Sequence, residues 1–240
     1  MKTAVVASFS RAARSYGAHA GVQKTMAGWL AEWLPAERTG RVLEVGAGTG
    51  LFTRRLQPWS GPITATDPSA AMCAAGQSAL PGIAWRTMTA ETPLRGPWDW
   101  IVSSSVLQWL ETPAKAFAAW GAQLAPGGRV LAGLFAEESL PELRSLVGGV
   151  TPVAWRTPAK WRKEIREGGL RLRRDQTVRH VVTYASAQAF LRALHRVGAA
   201  PERRLTAGEM RRLLQDYAER FGEAGGVRAT WTFYRFEAEK

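Results

Sequence analysis

Between residues 41 and 50 the chain passes from a short apolar run, Arg41–Val45, straight into Glu44-Val45-Gly46-Ala47-Gly48-Thr49-Gly50. A strand that ends in three alternate glycines, followed by helix-forming Leu51–Leu56, leaves few folds open. Glycine lets the backbone turn sharply and lets a ligand lie against the main chain, which is how nucleotide-binding crevices form at the carboxyl ends of parallel strands. The rest of the first half repeats the alternation. Strands are expected at Ile63–Thr66, Ile83–Thr87, Asp99–Ser103 and Arg129–Phe135, and helices at 22–34, Pro68–Ala79 and Pro113–Leu124. Alternating strands and helices imply a parallel sheet covered on both faces, with right-handed crossovers.

The regularity lapses after residue 136. Glu137–Val147 reads as a helix, Gln176–Thr183 as a strand, Ala187–Val197 and Ala207–Phe221 as helices, and Ala229–Glu237 as a closing strand. With 240 residues, 46% of them hydrophobic, the chain is expected to form one domain. Its parts are a helical cap (1–40), a ligand-binding core (41–135), a lid-like insertion (136–175) and the end of the sheet (176–240). No apolar run reaches the length of a membrane span and the N-terminus lacks a signal-peptide pattern, so a cytoplasmic location is expected. One cysteine, Cys73, and three scattered histidines give no disulfide framework and no metal-ligand spacing.

Two classes of cofactor compete for the glycine turn. A dinucleotide site wants G-x-G-x-x-G, but Leu51 stands where the third glycine belongs. The sequence instead matches E-x-G-x-G-x-G, the pattern of class I methyltransferases, which use S-adenosylmethionine. Asp67 ends the second strand, 21 positions after Gly46, and can accept hydrogen bonds from both hydroxyls of a ribose. Glu44 and the carbonyls of the turn can serve the ammonium of the methionine moiety. Met72 and Met88 are candidate walls of an adenine pocket.

With these residues in place, the chain resembles the malonyl-acyl-carrier-protein O-methyltransferases of biotin synthesis over nearly its whole length. The resemblance begins with Phe9-Ser10-Arg11-Ala12-Ala13-Arg14-Ser15-Tyr16 followed by Ala20 and Gln23, similar to the family's N-terminal helix. It continues through Val42–Gly50, Asp67-Pro68-Ser69 with Met72, and Leu124-Ala125-Pro126-Gly127-Gly128. The discriminating segments are Ser103-Ser104-Ser105-Val106-Leu107-Gln108-Trp109, similar to S-N-x-x-x-Q-W, then Ser139–Leu143, and Leu191–Ala199. Thr206–Tyr217 and Thr230–Phe236 resemble the closing helix and strand.

The family implies a Rossmann-like α/β fold with a mostly parallel seven-stranded sheet. It implies S-adenosylmethionine as co-substrate, held by Glu44, Gly46, Ala47, Gly48, Gly50, Asp67, Pro68, Met72, Met88, Thr89, Ala90 and Ser103. Thr89 departs from the acidic residue usual at its position, so the adenine contact falls to Thr89 or Glu91. The acceptor is a malonyl thioester on an acidic acyl carrier protein or on coenzyme A, and no metal is needed. Its carboxylate is already ionised at neutral pH and requires no general base. Tyr16, Gln108, Trp109 and Arg144 are the candidates for binding and aligning it.

The net charge of +12 suits an acidic partner, and the basic residues are densest in Arg156–Arg179. Arg171, Arg173 and Arg174 are the expected docking charges for a carrier. The charge also suits nucleic acid, but Ser103–Val106 lacks the Asn/Asp-Pro-Pro-aromatic run of enzymes that methylate base amines. A non-catalytic partner protein is disfavoured by the intact Glu44, glycines and Asp67.

Overall fold

The computed structural model describes residues 3–148, 153, 155–198 and 205–240. Ala199, the last residue of the Leu191–Ala199 segment, and part of the expected insertion lie outside them. In chain order the elements are α1 (Thr3–His19), α2 (Gly21–Ala31), β1 (Val42–Val45), α3 (Thr53–Leu56), β2 (Ile63–Asp67), α4 (Ala70–Ala79), β3 (Ala84–Thr87) and β4 (Trp98–Ser104). A single 3-10 turn follows at Leu107–Trp109. Then come α5 (Pro113–Gln123), β5 (Leu124–Phe135), α6 (Pro141–Leu146), α7 (Pro158–Glu167), β6 (Arg171–Tyr184), α8 (Ala187–Arg196), α9 (Ala207–Phe221), β7 (Gly222–Glu223) and β8 (Gly226–Glu239).

Seven strands run in the order β3-β2-β1-β4-β5-β8-β6, with the two-residue β7 paired to β8 as an eighth. The first five are parallel. β8 is antiparallel to both β5 and β6. The order reverses at β1, whose neighbours are β2 and β4. A crevice therefore opens beyond the carboxyl ends of these strands, because the helices that follow β1 and β4 leave on opposite sides.

The expected 136–175 lid is corrected in two ways. Its second half is structural: α7 buries Trp161 and Ile165 completely in the core, beside Phe117 and Trp120. Burying two such side chains contributes roughly 1.5–3 kcal/mol each, which commits the helix to the sheet face. Thr157 caps α7 by accepting from the Lys160 N–H, and Pro158 occupies the first turn. β6 then begins at Arg171, five residues earlier than expected. The helix expected from Glu137 begins only at Pro141, because the preceding residues are tied to β8. The Ser139 hydroxyl donates to the Thr232 carbonyl and accepts from its N–H, and the Leu140 N–H donates to the Thr230 carbonyl.

The roof of the crevice is α1. Its Ser10 hydroxyl lies 2.7 Å from that of Ser69, at the start of α4. On its other flank, Phe9 and Ser8 meet Gly198 just beyond α8, where an added Cβ would fall 3.2 Å from the Phe9 nitrogen.

Candidate functional site

The glycine turn carries the chain from β1 across the floor of the crevice. Gly46, Gly48 and Gly50 all have positive φ (72°, 56° and 90°), a region that costs other residues strain. Gly46 is also fixed by packing, since a Cβ there would sit 2.1 Å from Val106 Cγ2. Gly48 is different. The nearest atom to its added Cβ is Tyr16 Cε1 at 4.0 Å, so a slot separates the turn from the α1 roof.

Asp67 anchors this turn. Its Oδ2 accepts from the Gly48 N–H at 3.0 Å and its Oδ1 from the Ser69 N–H at 2.9 Å. A carboxylate oxygen has two lone pairs, so each can still accept a ligand hydroxyl. Burial pushes the Asp67 carboxyl up to about 6, opposed by those two backbone hydrogen bonds.

Glu44 lies one strand away on β1 and is 1% exposed. Burial pushes its carboxyl up to about 8, against the nearby Thr53 hydroxyl and with the help of the Asp67 charge. Its Oε2 is buried without a hydrogen-bond partner, although the residue lines the crevice. A buried carboxylate with an open acceptor is costly unless a cation completes it. This is the chemistry that the ammonium of S-adenosylmethionine supplies. Asp67 for the ribose and the slot over Gly48 for the chain between them fit the methionine and ribose parts of the ligand.

The crevice, with the open solvent at its mouth, spans ≈ 670 Å³ and brings together Tyr16, Glu44, Gly46, Ala47, Gly48, Asp67, Pro68, Met72 and Trp109 of the expected set. A second cleft of ≈ 630 Å³ adjoins it, sharing Phe9, Tyr16, Gln23, Ser105 and Trp109. Phe9 meets Tyr16 and Trp109 edge-on, at 6.2 Å and 5.4 Å between ring centroids, so three aromatic rings frame the junction. Burial and the Asp67 charge push the Tyr16 phenol far above its usual range, keeping it a neutral donor. Gln108 lines only the second cleft, where its amide donates to the Ser105 carbonyl at 2.8 Å.

Five expected cofactor residues line neither cleft. Gly50 is turned toward Leu80. The Ser103 hydroxyl is spent on the Val45 carbonyl at 2.9 Å, bracing β4 to β1, and Ser104 and Ser105 take the wall instead. Met88 is buried with its sulfur accepting from the Leu94 N–H. Ala90 accepts from the Trp120 indole, and Thr89 is exposed with its hydroxyl 2.8 Å from that of Thr92. Arg144 also lies outside both linings. Its guanidinium donates to the Glu137 carbonyl and stands 5.7 Å from the Trp155 ring.

The expected docking arginines are placed elsewhere. Arg171 and Arg173 pair with Glu239, and Arg173 and Arg174 with Glu237. By register, Arg171 and Glu239 lie level with Arg129, Trp100 and Val42, where the parallel strands start. The clefts open past the other ends. Phe9, Gln23 and Ser105 went unassigned in the sequence, though all three stand inside the family-like segments.

The solved structures that resemble this chain share its fold. One is the YcgJ protein of Bacillus subtilis, with a TM-score of 0.68, 16% identity and coverage of 90% of this chain and 98% of that one. Another is an S-adenosylmethionine-dependent methyltransferase of Mesorhizobium loti, with a TM-score of 0.54, 20% identity, and 89% and 98% covered. A methyltransferase-domain family matches residues 18–202. Fold and cleft together define a class I methyltransferase dependent on S-adenosylmethionine. Among the described residues no cluster of His, Cys, Asp or Glu could hold a metal ion, and no helix is long and apolar enough to cross a membrane.

The relatives narrow the class. The malonyl-acyl-carrier protein O-methyltransferase of Geobacter sulfurreducens is 32% identical, with 93% of each chain covered. That of Magnetococcus marinus is 33% identical, with 93% of this chain and 88% of the relative covered. This chain belongs to the malonyl-acyl-carrier protein O-methyltransferase family, and it is an O-methyltransferase.

Proposed function

We propose that the acceptor is the free carboxylate of a malonyl thioester, presented on an acyl carrier protein or on coenzyme A, and that its methyl ester feeds biotin synthesis. The observation that carries this reading is the makeup of the second cleft. Among the described residues that line it are aromatic and aliphatic side chains with Ser105, Gln23 and Gln108, and no carboxylate, histidine, lysine or thiol. An alcohol or ammonium acceptor needs a base to take its proton, whereas a carboxylate arrives ionised. Donors of hydrogen bonds suffice to align it, and an apolar wall keeps water from solvating it.

When bound, S-adenosylmethionine supplies a sulfonium methyl, to which a carboxylate oxygen bonds as the methyl–sulfur pair leaves with sulfur, with no proton transferred. Glu44 would hold its ammonium and Asp67 its ribose, and Gly48 would let it lie against the turn. Tyr16 would orient the acceptor through a neutral hydrogen bond, which holds an anion without quenching it as an ion pair does, and Gln108 would brace the backbone beside it. Membership of the family supports the same acceptor, since the relatives are named for it.

Labelled S-adenosylmethionine incubated with malonyl and acetyl thioesters, on both the carrier and coenzyme A, tests the proposal. A base-labile methyl ester is expected from the malonyl thioesters only. Equal labelling of the acetyl thioester, which has no free carboxylate, would refute it.

A further inference from the structure

Ser105 stands at the junction and lines both clefts. Its backbone is left-handed, with φ 62°, one of two such non-glycine residues among those described. A side chain other than glycine, asparagine or aspartate is strained there, and strain of this kind persists only where the surroundings over-determine it. They do so here. The Ser105 N–H donates to the Gly133 carbonyl of β5 at 2.7 Å, and its carbonyl accepts from the Gln108 amide at 2.8 Å. The next residue, Val106, is wedged against the turn at Gly46. Main-chain bonds on both sides thus hold a residue in an unfavourable conformation, and its hydroxyl is left buried with no hydrogen-bond partner. A buried polar atom without a partner is costly, and a ligand group can satisfy it.

We infer that the Ser105 hydroxyl is a donor to the acceptor's carboxylate, acting beside Tyr16 at the junction of the clefts. The inference rests on the carboxylate acceptor proposed above. A neutral hydroxyl suits the task because it orients one oxygen of the carboxylate while the other keeps its lone pairs for the methyl. The Gln108 amide acts through it, by clamping the carbonyl that sets the direction of the Ser105 side chain.

Two variants separate this role from folding. Ser105→Gly removes the hydroxyl and relieves the left-handed strain, so it is expected to melt no lower than the parent. Ser105→Ala removes the hydroxyl and keeps the strain. Both are expected to raise KM for the malonyl thioester about 10- to 100-fold, the worth of a hydrogen bond to a charged group. Binding of S-adenosylhomocysteine, and inhibition by the acetyl thioester, should stay unchanged. A malonyl KM unaltered in both variants, or an equal weakening of malonyl and acetyl thioesters, overturns the inference. If the parent enzyme forms no ester from malonyl thioesters, the acceptor reading itself falls and this inference with it.

Discussion

Replacing Glu44 by glutamine should weaken the enzyme's hold on its cofactor and strengthen its fold. The carboxyl is pushed from its ordinary 4.5 to about 8 in the ligand-free protein, chiefly by burial. A folded-state pKa above the unfolded one means the native state holds the proton more tightly. The stability this gives is full below pH 4.5 and is lost as pH rises through 8. At about 1.4 kcal/mol per pH unit the loss reaches on the order of 4–5 kcal/mol if the site does not relax. Relaxation of the site and water entry reduce it, and about half is a reasonable expectation. Glu44→Gln carries no such charge. Without ligand at pH 8.5 it should be more stable than the parent by about 2 kcal/mol, a rise of roughly 4–8 °C in melting temperature for a chain of this size.

Its affinity for S-adenosylhomocysteine should move the other way. Removing one partner of a buried ion pair costs about 3–5 kcal/mol, or on the order of 10²- to nearly 10⁴-fold. Calorimetric titration and thermal melts at pH 6 and pH 8.5 measure both effects. If the variant melts below the parent at pH 8.5 without ligand, or binds within about threefold of it, Glu44 is a structural carboxylate and not the ammonium's partner.

The other expectations follow from the same geometry. Asp67→Asn sets an amide NH2 against one of the two backbone N–H donors and removes an ionised acceptor for the ribose, so melting temperature and S-adenosylhomocysteine affinity should both fall, the latter about 10- to 100-fold. In the parent, affinity should decline as pH drops first through about 8, where Glu44 gains its proton, and again through about 6, where Asp67 does, as read by titration across pH 5–9. Gly48→Ala puts a Cβ into the slot under Tyr16 at a φ of 56°, which should cost about 1–2 kcal/mol of stability and most of the ligand affinity. The double variant Arg173→Glu, Arg174→Glu breaks pairs with Glu237 and Glu239. It should melt lower while leaving kcat/KM for a carrier-bound substrate unchanged at low salt; a salt-dependent loss of that rate would restore these arginines as a docking surface.

The parallel half of the fold was legible because each of its elements carries its own local signal. Strand Val42–Val45 ends in a glycine turn, and Ser69 caps α4 from one residue before it. The site residues nearest the turn were legible for the same reason. α7 was hidden because its large apolar side chains are only two, Trp161 and Ile165, among six basic and acidic neighbours, although Thr157-Pro158 marks its start. Met88, Thr89, Ala90 and Ser103 lie outside both cleft linings, because position after a strand does not tell which way a side chain faces. Ser103 and Ser104 are adjacent, yet one braces β1 and the other meets the cleft. The role of α1 as a roof depends on contacts with α4 and α8, which no local pattern in Thr3–His19 announces.

That roof has an energetic consequence. Val6 hangs over the cofactor crevice only, while Phe9 and Tyr16, one and three turns along the same helix, wall both clefts. Whichever ligand arrives first bears part of the entropy of settling α1, and the second finds the wall already set. The two affinities are then linked by a single coupling free energy, and linkage requires that each ligand enhance the other by the same factor.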